Sequence, residues 1–197
     1  MESEYVNLHT HRPAGRGIEP TFLGIHPWDA EEADTAAVER RLGGVQAVGE
    51  IGLDYLRGPE RELQRRVFRA QLALAETRRM PVVIHCVKAL DDVLRELEGR
   101  KLPAVIFHGF TGSREQAQRV LARGCYLSFG RRTFSSPKTT AALRGTPLDR
   151  LFLETDDDPT PIEEIYRRAA ETLGIAEEEL RRATTQNYER IFTKRNG

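Results

Sequence analysis

The chain has 197 residues, 39% of them hydrophobic, and its equal numbers of acidic and basic residues give a formal net charge of zero. This length suffices for one well-buried core, so we expect a single domain over residues 1–197, and the missing basic excess argues against binding nucleic acid with the whole surface. No apolar run approaches the roughly 20 residues of a membrane span, and the N-terminus lacks the basic and apolar regions of a signal peptide, so we expect a cytoplasmic protein with no membrane partner.

Strand-like and helix-like segments alternate along the chain, which is the pattern of a parallel α/β fold. Seven short apolar segments are predicted strands: Tyr5–His9, Thr21–Gly24, Gln46–Gly49, Val82–His85, Ala104–His108, Tyr126–Phe129 and Leu151–Glu154. The predicted helices are Thr35–Leu42, Glu60–Thr77, Leu90–Leu97, Arg114–Ala122, Thr139–Leu143, Ile162–Leu173 and Glu177–Phe192. In the second helix, the apolar spacing predicts a stripe packed on a sheet, formed by Leu63, Val67, Ala70 and Leu74.

The five histidines of the chain each lie at the downstream end of a short apolar run. They are His9, His11, His26, His85 and His108. In a (β/α) barrel the carboxyl ends of the strands open onto one face, and that face carries the chemistry. Imidazole and carboxylate are ligands that divalent cations use, so the histidines together with Glu50 and Asp156 predict a site for two such ions.

The spacing of the histidines supports this interpretation. His9 and His11 are two residues apart, so on a strand both side chains point to the same side and reach one ion. His85 and His108 each end an apolar strand. Any one of these residues, taken alone, fits a core histidine hydrogen-bonded to backbone equally well. The repetition of the pattern favours ligands.

Two carboxylates complete the candidate ligand set. Glu50 follows an apolar strand and comes directly after Gly49, which lets other groups approach closely. A buried carboxylate needs compensating positive charge, and a position between two metal ions provides it; the alternative is a glutamate in a surface turn. We interpret Asp156 as a ligand, and Asp157 and Asp158 as solvated loop charges unless one of them orients a ligand or a water.

The order of these motifs resembles the TatD family of metal-dependent hydrolases over nearly the whole chain. The matching segments are His9-Thr10-His11, Gly24-Ile25-His26-Pro27, Gly49-Glu50-Ile51-Gly52-Leu53-Asp54-Tyr55, Pro81-Val82-Val83-Ile84-His85, His108-Gly109-Phe110-Thr111-Gly112-Ser113 and Leu148–Asp156, and the closing Gln186–Phe192 is similar as well. The resemblance implies a TIM-barrel-like fold and a metal-dependent hydrolase. The best-known activity of that family is that of a deoxyribonuclease.

The resemblance also implies roles for individual residues. The implied ligands, with Glu50 bridging the two ions, are His9, His11, Glu50 and Asp156 for one ion and Glu50, His85 and His108 for the other. His26 matches an active-site histidine near the substrate phosphate rather than a ligand. Asp54 and Glu154 match residues that position the others.

Three departures from the family pattern affect the expected fold and substrate contacts. Only nine residues separate His11 from Thr21, where the family has a helix, a strand and a second helix. A parallel crossover takes a dozen or more residues, so Arg12–Pro20 must return as extended chain and leave a seven-stranded or partly open barrel.

The other two departures concern residues expected to contact substrate. Trp28 replaces a second histidine of the family pattern, and Val87-Lys88 stands where an Arg-Asp pair is common in the family.

The expected chemistry is hydrolysis by a metal-activated water, with Asp156 as proton acceptor. Two ions beside ionised Glu50 and Asp156 leave a local positive surplus that attracts an anionic substrate. Arg57, His26 or Lys88 would neutralise charge on a phosphate or leaving group. With the resemblance, this favours phosphodiester hydrolysis on DNA ends, and Asp156, Glu50 and His26 are the candidate catalytic residues.

Two other functions stay open at this point. The same chemistry serves an acyl ester or amide, such as an aminoacyl-tRNA or a lactone, and a metal can also support a binding scaffold that does not catalyse. The mixed histidine and carboxylate ligands suit zinc, manganese or iron, and magnesium is workable with several waters. The sequence indicates no obligate protein partner.

Overall fold

A computed structural model describes residues 4–193, and it divides the chain into two compact units. The central unit is Thr21–Phe107; the terminal unit consists of the residues up to Pro20 and those from His108 onward. Residues 1–3, which contribute to the signal-peptide argument, lie outside the described part. A single domain and a cytoplasmic location stay predictions. No helix in the described part of the chain is long and apolar enough to cross a membrane.

The central unit contains four parallel strands paired in sequence order. They are β1 (Phe22–Leu23), β2 (Ala47–Asp54), β3 (Val82–Val87) and β4 (Val105–Phe107). The helices of this unit are α1 (Thr35–Arg41), α2 (Arg61–Thr77) and α3 (Leu90–Glu96), with a 3-10 segment over Pro27–Glu32 before α1. Val82, Val83 and Ile84 have no exposed surface, as expected of β-branched residues in a buried parallel sheet.

The described part of the terminal unit contains two parallel strands and four α-helices. These elements are α4 (Arg114–Leu121), β5 (Tyr126–Phe129), α5 (Pro137–Arg144), β6 (Leu151–Leu153), α6 (Ile162–Leu173) and α7 (Glu177–Tyr188). A π-helical turn over Glu189–Thr193 continues α7. Gly174 ends α6 in the left-handed conformation, with a φ of 70°, which a residue without Cβ adopts at little cost. The predicted parallel α/β class is confirmed.

The first predicted strand, Tyr5–His9, is not a strand of a ladder. Its chain is extended but makes isolated parallel bridges, Val6 to Ile18 and Asn7 to Leu153. As predicted, the short return over residues 12–20 contains no helix. It offers the Tyr5–His9 segment too few consecutive pairing partners for a ladder. The described residues therefore contain six strands rather than seven.

Tyr166 of α6 holds this extended segment in place. Its buried hydroxyl donates to the carbonyl oxygen of Val6 at 2.9 Å and accepts from the Val6 amide at 3.1 Å. The backbone amide of Leu8 donates to the carbonyl oxygen of Leu153 at 2.9 Å. The segment before the first histidine is thus fixed by both a helix and a strand.

The expectation that Glu50 follows its strand is wrong, because Glu50 lies inside β2, and His85 does not end its strand as predicted, because β3 continues to Val87. The two strands stay paired to Asp54 and Val87, and the register shifts between Val48 and Ile51, at the position of Glu50. Irregularities of this kind bend a strand and redirect a side chain, and they are common beside active sites.

The predicted apolar stripe of α2 is also wrong. Of its four residues only Val67 is buried, and Ala70 is exposed. The buried face is shifted by one position and includes Gln64, Val67, Phe68, Gln71, Leu72 and Ala75. The shift arises because two glutamines occupy buried positions, where their amides hydrogen-bond to loop backbone.

Candidate metal-binding sites

In the terminal unit, His9, His11 and Asp156 bring three ligand atoms together. The Nε2 atoms of the two histidines are 3.3 Å apart, and Asp156 Oδ1 lies 3.7 Å from His9 Nε2 and 3.5 Å from His11 Nε2. Two ligand atoms bound at about 2.0–2.2 Å to one tetrahedral ion lie about 3.3–3.6 Å apart. The three residues therefore fit a single divalent ion. The prediction that both histidines point to the same side is consistent with this geometry.

Backbone hydrogen bonds hold Asp156 beside the two histidines. The amide of Asp156 donates to the carbonyl oxygen of His9 at 3.0 Å, and the amide of His11 donates to the carbonyl oxygen of Asp156 at 2.9 Å. The side chain of Asn7 accepts from the Thr155 amide and donates to its hydroxyl, both at 3.0 Å. Asp156 has a φ of 55°, a left-handed conformation that is uncommon outside glycine but is tolerated by aspartate. Such conformations cluster at functional sites.

His108, in the same unit, is oriented by the fully buried Glu154. His108 Nδ1 lies 3.3 Å from Glu154 Oε1, which also accepts from the Gly109 amide at 2.6 Å. Burial alone would raise the pKa of Glu154, but the hydrogen bond and charge of His108 outweigh burial and lower that pKa. With Nδ1 directed at a carboxylate, Nε2 is the nitrogen left to bind an ion. Ligand atoms of His108, Glu154 and Asp156 lie within 4.8 Å of one another.

The central unit contains a second group, formed by His26, Glu50 and His85. One ligand atom of each lies within 4.8 Å of the others, and His85 Nδ1 is 3.8 Å from Glu50 Oε2. His85 Nε2 lies 3.2 Å from Asp54 Oδ2, an arrangement in which the carboxylate fixes the ring and leaves Nδ1 for an ion. The positioning role that the resemblance implies for Asp54 stays a prediction.

Asp54 is held ionised by its neighbours. Burial favours its neutral form, but hydrogen bonds from the Trp28 indole, the Leu56 amide and His85 outweigh burial, so its pKa lies below the usual value. Trp28 Nε1 donates to Asp54 Oδ2 at 2.8 Å, and the amides of Leu56 and Arg57 donate to Oδ1 at 2.9 and 3.1 Å.

His26 differs from the other histidines in its hydrogen bonding. Its Nδ1 accepts from the backbone amide of Trp28 at 3.3 Å, at the start of the 3-10 segment. In a neutral imidazole whose Nδ1 is an acceptor, the proton is on Nε2. This tautomer donates a hydrogen bond from Nε2, although His26 also lies in the group of candidate ligands with Glu50 and His85. Its expected position near a substrate phosphate stays a prediction.

The two predicted substrate cations differ in their placement. The Arg57 guanidinium lies 5.2 Å from the centre of the Trp28 ring, whereas Lys88 is exposed directly after β3 and has a φ of 54°. Their contact with substrate stays a prediction, as do the roles of the individual ligands.

Sequence reasoning missed Gln64 and Gln71, the two glutamines of α2 that position these loops. Gln71 Oε1 accepts from the Ile25 amide at 2.6 Å, and its Nε2 donates to the Ile25 carbonyl oxygen at 3.0 Å. Gln64 makes the same pair of bonds with Asp54, at 2.8 and 2.9 Å. The seven-residue spacing of two glutamines on one helix face was the available signal, because it places both on the same side. Each fixes the backbone of a residue that carries or precedes a site side chain.

Comparison with known proteins agrees with this fold. The model of TatD-related DNases matches residues 17–193. The metal-dependent hydrolase YabD of Bacillus subtilis is 34% identical, over 86% of this chain and 76% of that protein. A protein named 3'-5' ssDNA/RNA exonuclease TatD from Pectobacterium carotovorum is 32% identical over the same shares. The crystal structure of YjjV, a TatD homologue from Escherichia coli K12, superposes with a TM-score of 0.80 at 29% identity, over 89% of this chain and 77% of that one.

The comparisons show a TIM-barrel-like fold and a family of metal-dependent hydrolases, as the sequence predicts, and the described residues include groups of candidate metal ligands. The chain belongs to the family of TatD-related DNases, which the resemblance identified from its motifs.

Proposed function

We propose that this protein hydrolyses phosphodiester bonds at the ends of single-stranded DNA. The observation that carries the proposal is the group of His9, His11 and Asp156, whose ligand atoms are 3.3–3.7 Å apart and fit one divalent ion. A relative that is 32% identical is named a 3'-5' ssDNA/RNA exonuclease, which supports a nucleic-acid substrate.

We propose two ions, drawn from zinc, manganese, iron or magnesium. His9, His11 and Asp156 would hold an ion in the terminal unit, and His85 and Glu50 would contribute ligands in the central unit; the bridging role of Glu50 stays a prediction of the resemblance. Bound ions of this kind lower the pKa of water toward 7 and polarise a phosphoryl oxygen.

The protein's own side chains would manage protons and charge. The Asp156 carboxylate accepts the proton of the attacking water, and the positioned base contributes about 10²–10⁴-fold to the rate. His26, with its proton on Nε2, donates a hydrogen bond to a phosphate oxygen. Arg57 and Lys88 supply positive charge to the phosphate or the leaving group.

The test compares substrates of two classes on metal-loaded protein. We would measure shortening of 5'-labelled single-stranded DNA, and release of the amino acid from an aminoacyl ester. The variant is Asp156→Asn, which keeps the shape of the side chain. The matched control is Asp149→Asn, the same change at a side chain that is 61% exposed.

We expect the wild type and Asp149→Asn to shorten the DNA, and Asp156→Asn to be slower by at least about 100-fold. Turnover of the ester without shortening of DNA would overturn the proposal in favour of the acyl alternative. Equal rates for Asp156→Asn and the control would overturn the role of Asp156.

A further inference from the structure

Trp28 is the single tryptophan of the chain, and it is unusually exposed. Its relative exposure is 44%, although tryptophan is on average a highly buried residue. It lies two residues after His26, at a position where the family pattern commonly has histidine. The structure therefore places a large aromatic surface next to His26, the histidine proposed above to donate to a phosphate oxygen.

The ring of Trp28 is fixed rather than free to rotate. Its Nε1 donates to Asp54 Oδ2 at 2.8 Å, and the same oxygen lies 3.2 Å from His85 Nε2. The rings of His26 and His85 lie nearly perpendicular to it, at interplanar angles of 81° and 74°, with centroids 4.6 and 6.1 Å away. An indole that is fixed in this way and is still 44% exposed offers aromatic surface without a large entropy cost on binding.

A cation lies against the same ring. The Arg57 guanidinium is 5.2 Å from the ring centre, within the range of a cation–π contact, and the Arg57 side chain is otherwise exposed. The loop therefore combines an aromatic face, a positive charge and a hydrogen-bond donor on His26. Proteins that bind single-stranded nucleic acid without reading its sequence use aromatic faces for bases and cations for phosphates.

We propose that Trp28 is a stacking platform for a nucleobase of a single-stranded nucleic acid. The proposal rests on the proposed function, because it assigns the base to Trp28 and the neighbouring phosphate to His26 and Arg57. Stacking is available to every base, so Trp28 gives affinity for bases without sequence preference.

The first test uses the fluorescence of Trp28, which as the only tryptophan reports on this ring alone. Metal-stripped protein, excited at 295 nm, is titrated with an eight-residue oligothymidylate and with an abasic oligonucleotide carrying the same number of phosphates. We expect oligothymidylate to quench the emission and to bind about 5- to 100-fold more tightly than the abasic chain. Equal affinity for the two, with no quenching by either, would overturn the proposal.

The second test separates stacking from positioning. On metal-loaded protein we expect Trp28→Leu to raise KM for the oligonucleotide by about 5- to 100-fold, with a smaller change in kcat. Trp28→Phe keeps an aromatic face but loses the hydrogen bond to Asp54, and we expect it to retain most of the affinity for the oligonucleotide. Leu56→Ala is the matched control, because Leu56 is the other exposed large apolar side chain among the described residues, at 68%.

The outcomes distinguish this inference from the function on which it rests. Normal shortening of DNA with an unchanged KM in Trp28→Leu would overturn the stacking role and leave the nuclease function standing. A fall in kcat without a change in KM would likewise show that Trp28 acts only by positioning Asp54. If the wild type shortens no DNA with any metal, the proposed function and this inference both fail.

Discussion

Gln71 of α2 offers the sharpest test of how the fold holds its functional loops. The side chain is fully buried, and it makes two hydrogen bonds to the backbone of Ile25, the residue before His26. Gln71→Leu preserves the approximate volume of the side chain but removes the hydrogen-bond partners of both the amide and the carbonyl oxygen of Ile25. An unpaired buried polar group costs about 1–3 kcal/mol, so two such groups cost about 2–6 kcal/mol.

Ile25 is only half-buried, so water partly replaces the lost partners, and we expect a loss of about 2–3 kcal/mol in the free energy of unfolding. The assay is equilibrium unfolding in urea, followed by far-ultraviolet circular dichroism on metal-stripped protein. Gln118→Leu, the same change at an exposed position of α4, is the control. A free energy of unfolding for Gln71→Leu within about 0.5 kcal/mol of that of Gln118→Leu would refute the reasoning.

Three further predictions concern stability, metal affinity and pH. Tyr166→Phe should lower the free energy of unfolding by about 1–3 kcal/mol in urea titrations, because it strips both hydrogen bonds from buried backbone of the extended N-terminal segment. Glu154→Gln should weaken metal binding about 10- to 100-fold in calorimetric titrations, because the amide no longer supports His108; unchanged affinity would contradict this. Hydrogen bonds from Arg69 hold the pKa of Glu96 below its usual value, so the stability that Glu96 contributes is present at neutral pH and is lost as the pH falls below about 4.3. Glu96→Gln should therefore flatten the acid limb of a plot of unfolding free energy against pH, and an unchanged limb would count against the pair.

Much of the architecture followed from the pattern of the sequence. The alternation of strand-like and helix-like segments predicted the bounds of α6 and of β5 as the structure has them, and it predicted parallel strands. The His-x-His spacing placed His9 and His11 on one side, because side chains two residues apart on an extended chain share a face. These features depend on local geometry, which sequence spacing encodes directly.

Other features depend on contacts that sequence spacing does not encode. Glu50 lies inside β2 because that strand pairs with β3 beyond its predicted end, through a shift of register. Gln71 is buried because it meets Ile25, 46 residues away in sequence. The segment at residues 5–9 lacks a ladder because its partners are single residues on two elements. Each of these outcomes is set by three-dimensional placement.

The measurement that tests the central claim most directly is the hydrolysis of end-labelled single-stranded DNA by metal-stripped protein. The DNA is followed before and after magnesium, manganese or zinc is added back. The Glu50→Ala variant is measured in the same way. We predict no shortening without metal, recovery with at least one of the ions, and loss of that recovery in Glu50→Ala. The account would be contradicted by near-normal shortening of the DNA by Glu50→Ala or by shortening in the presence of a chelator. It would also be contradicted if the protein demonstrably bound an ion but shortened no DNA with it.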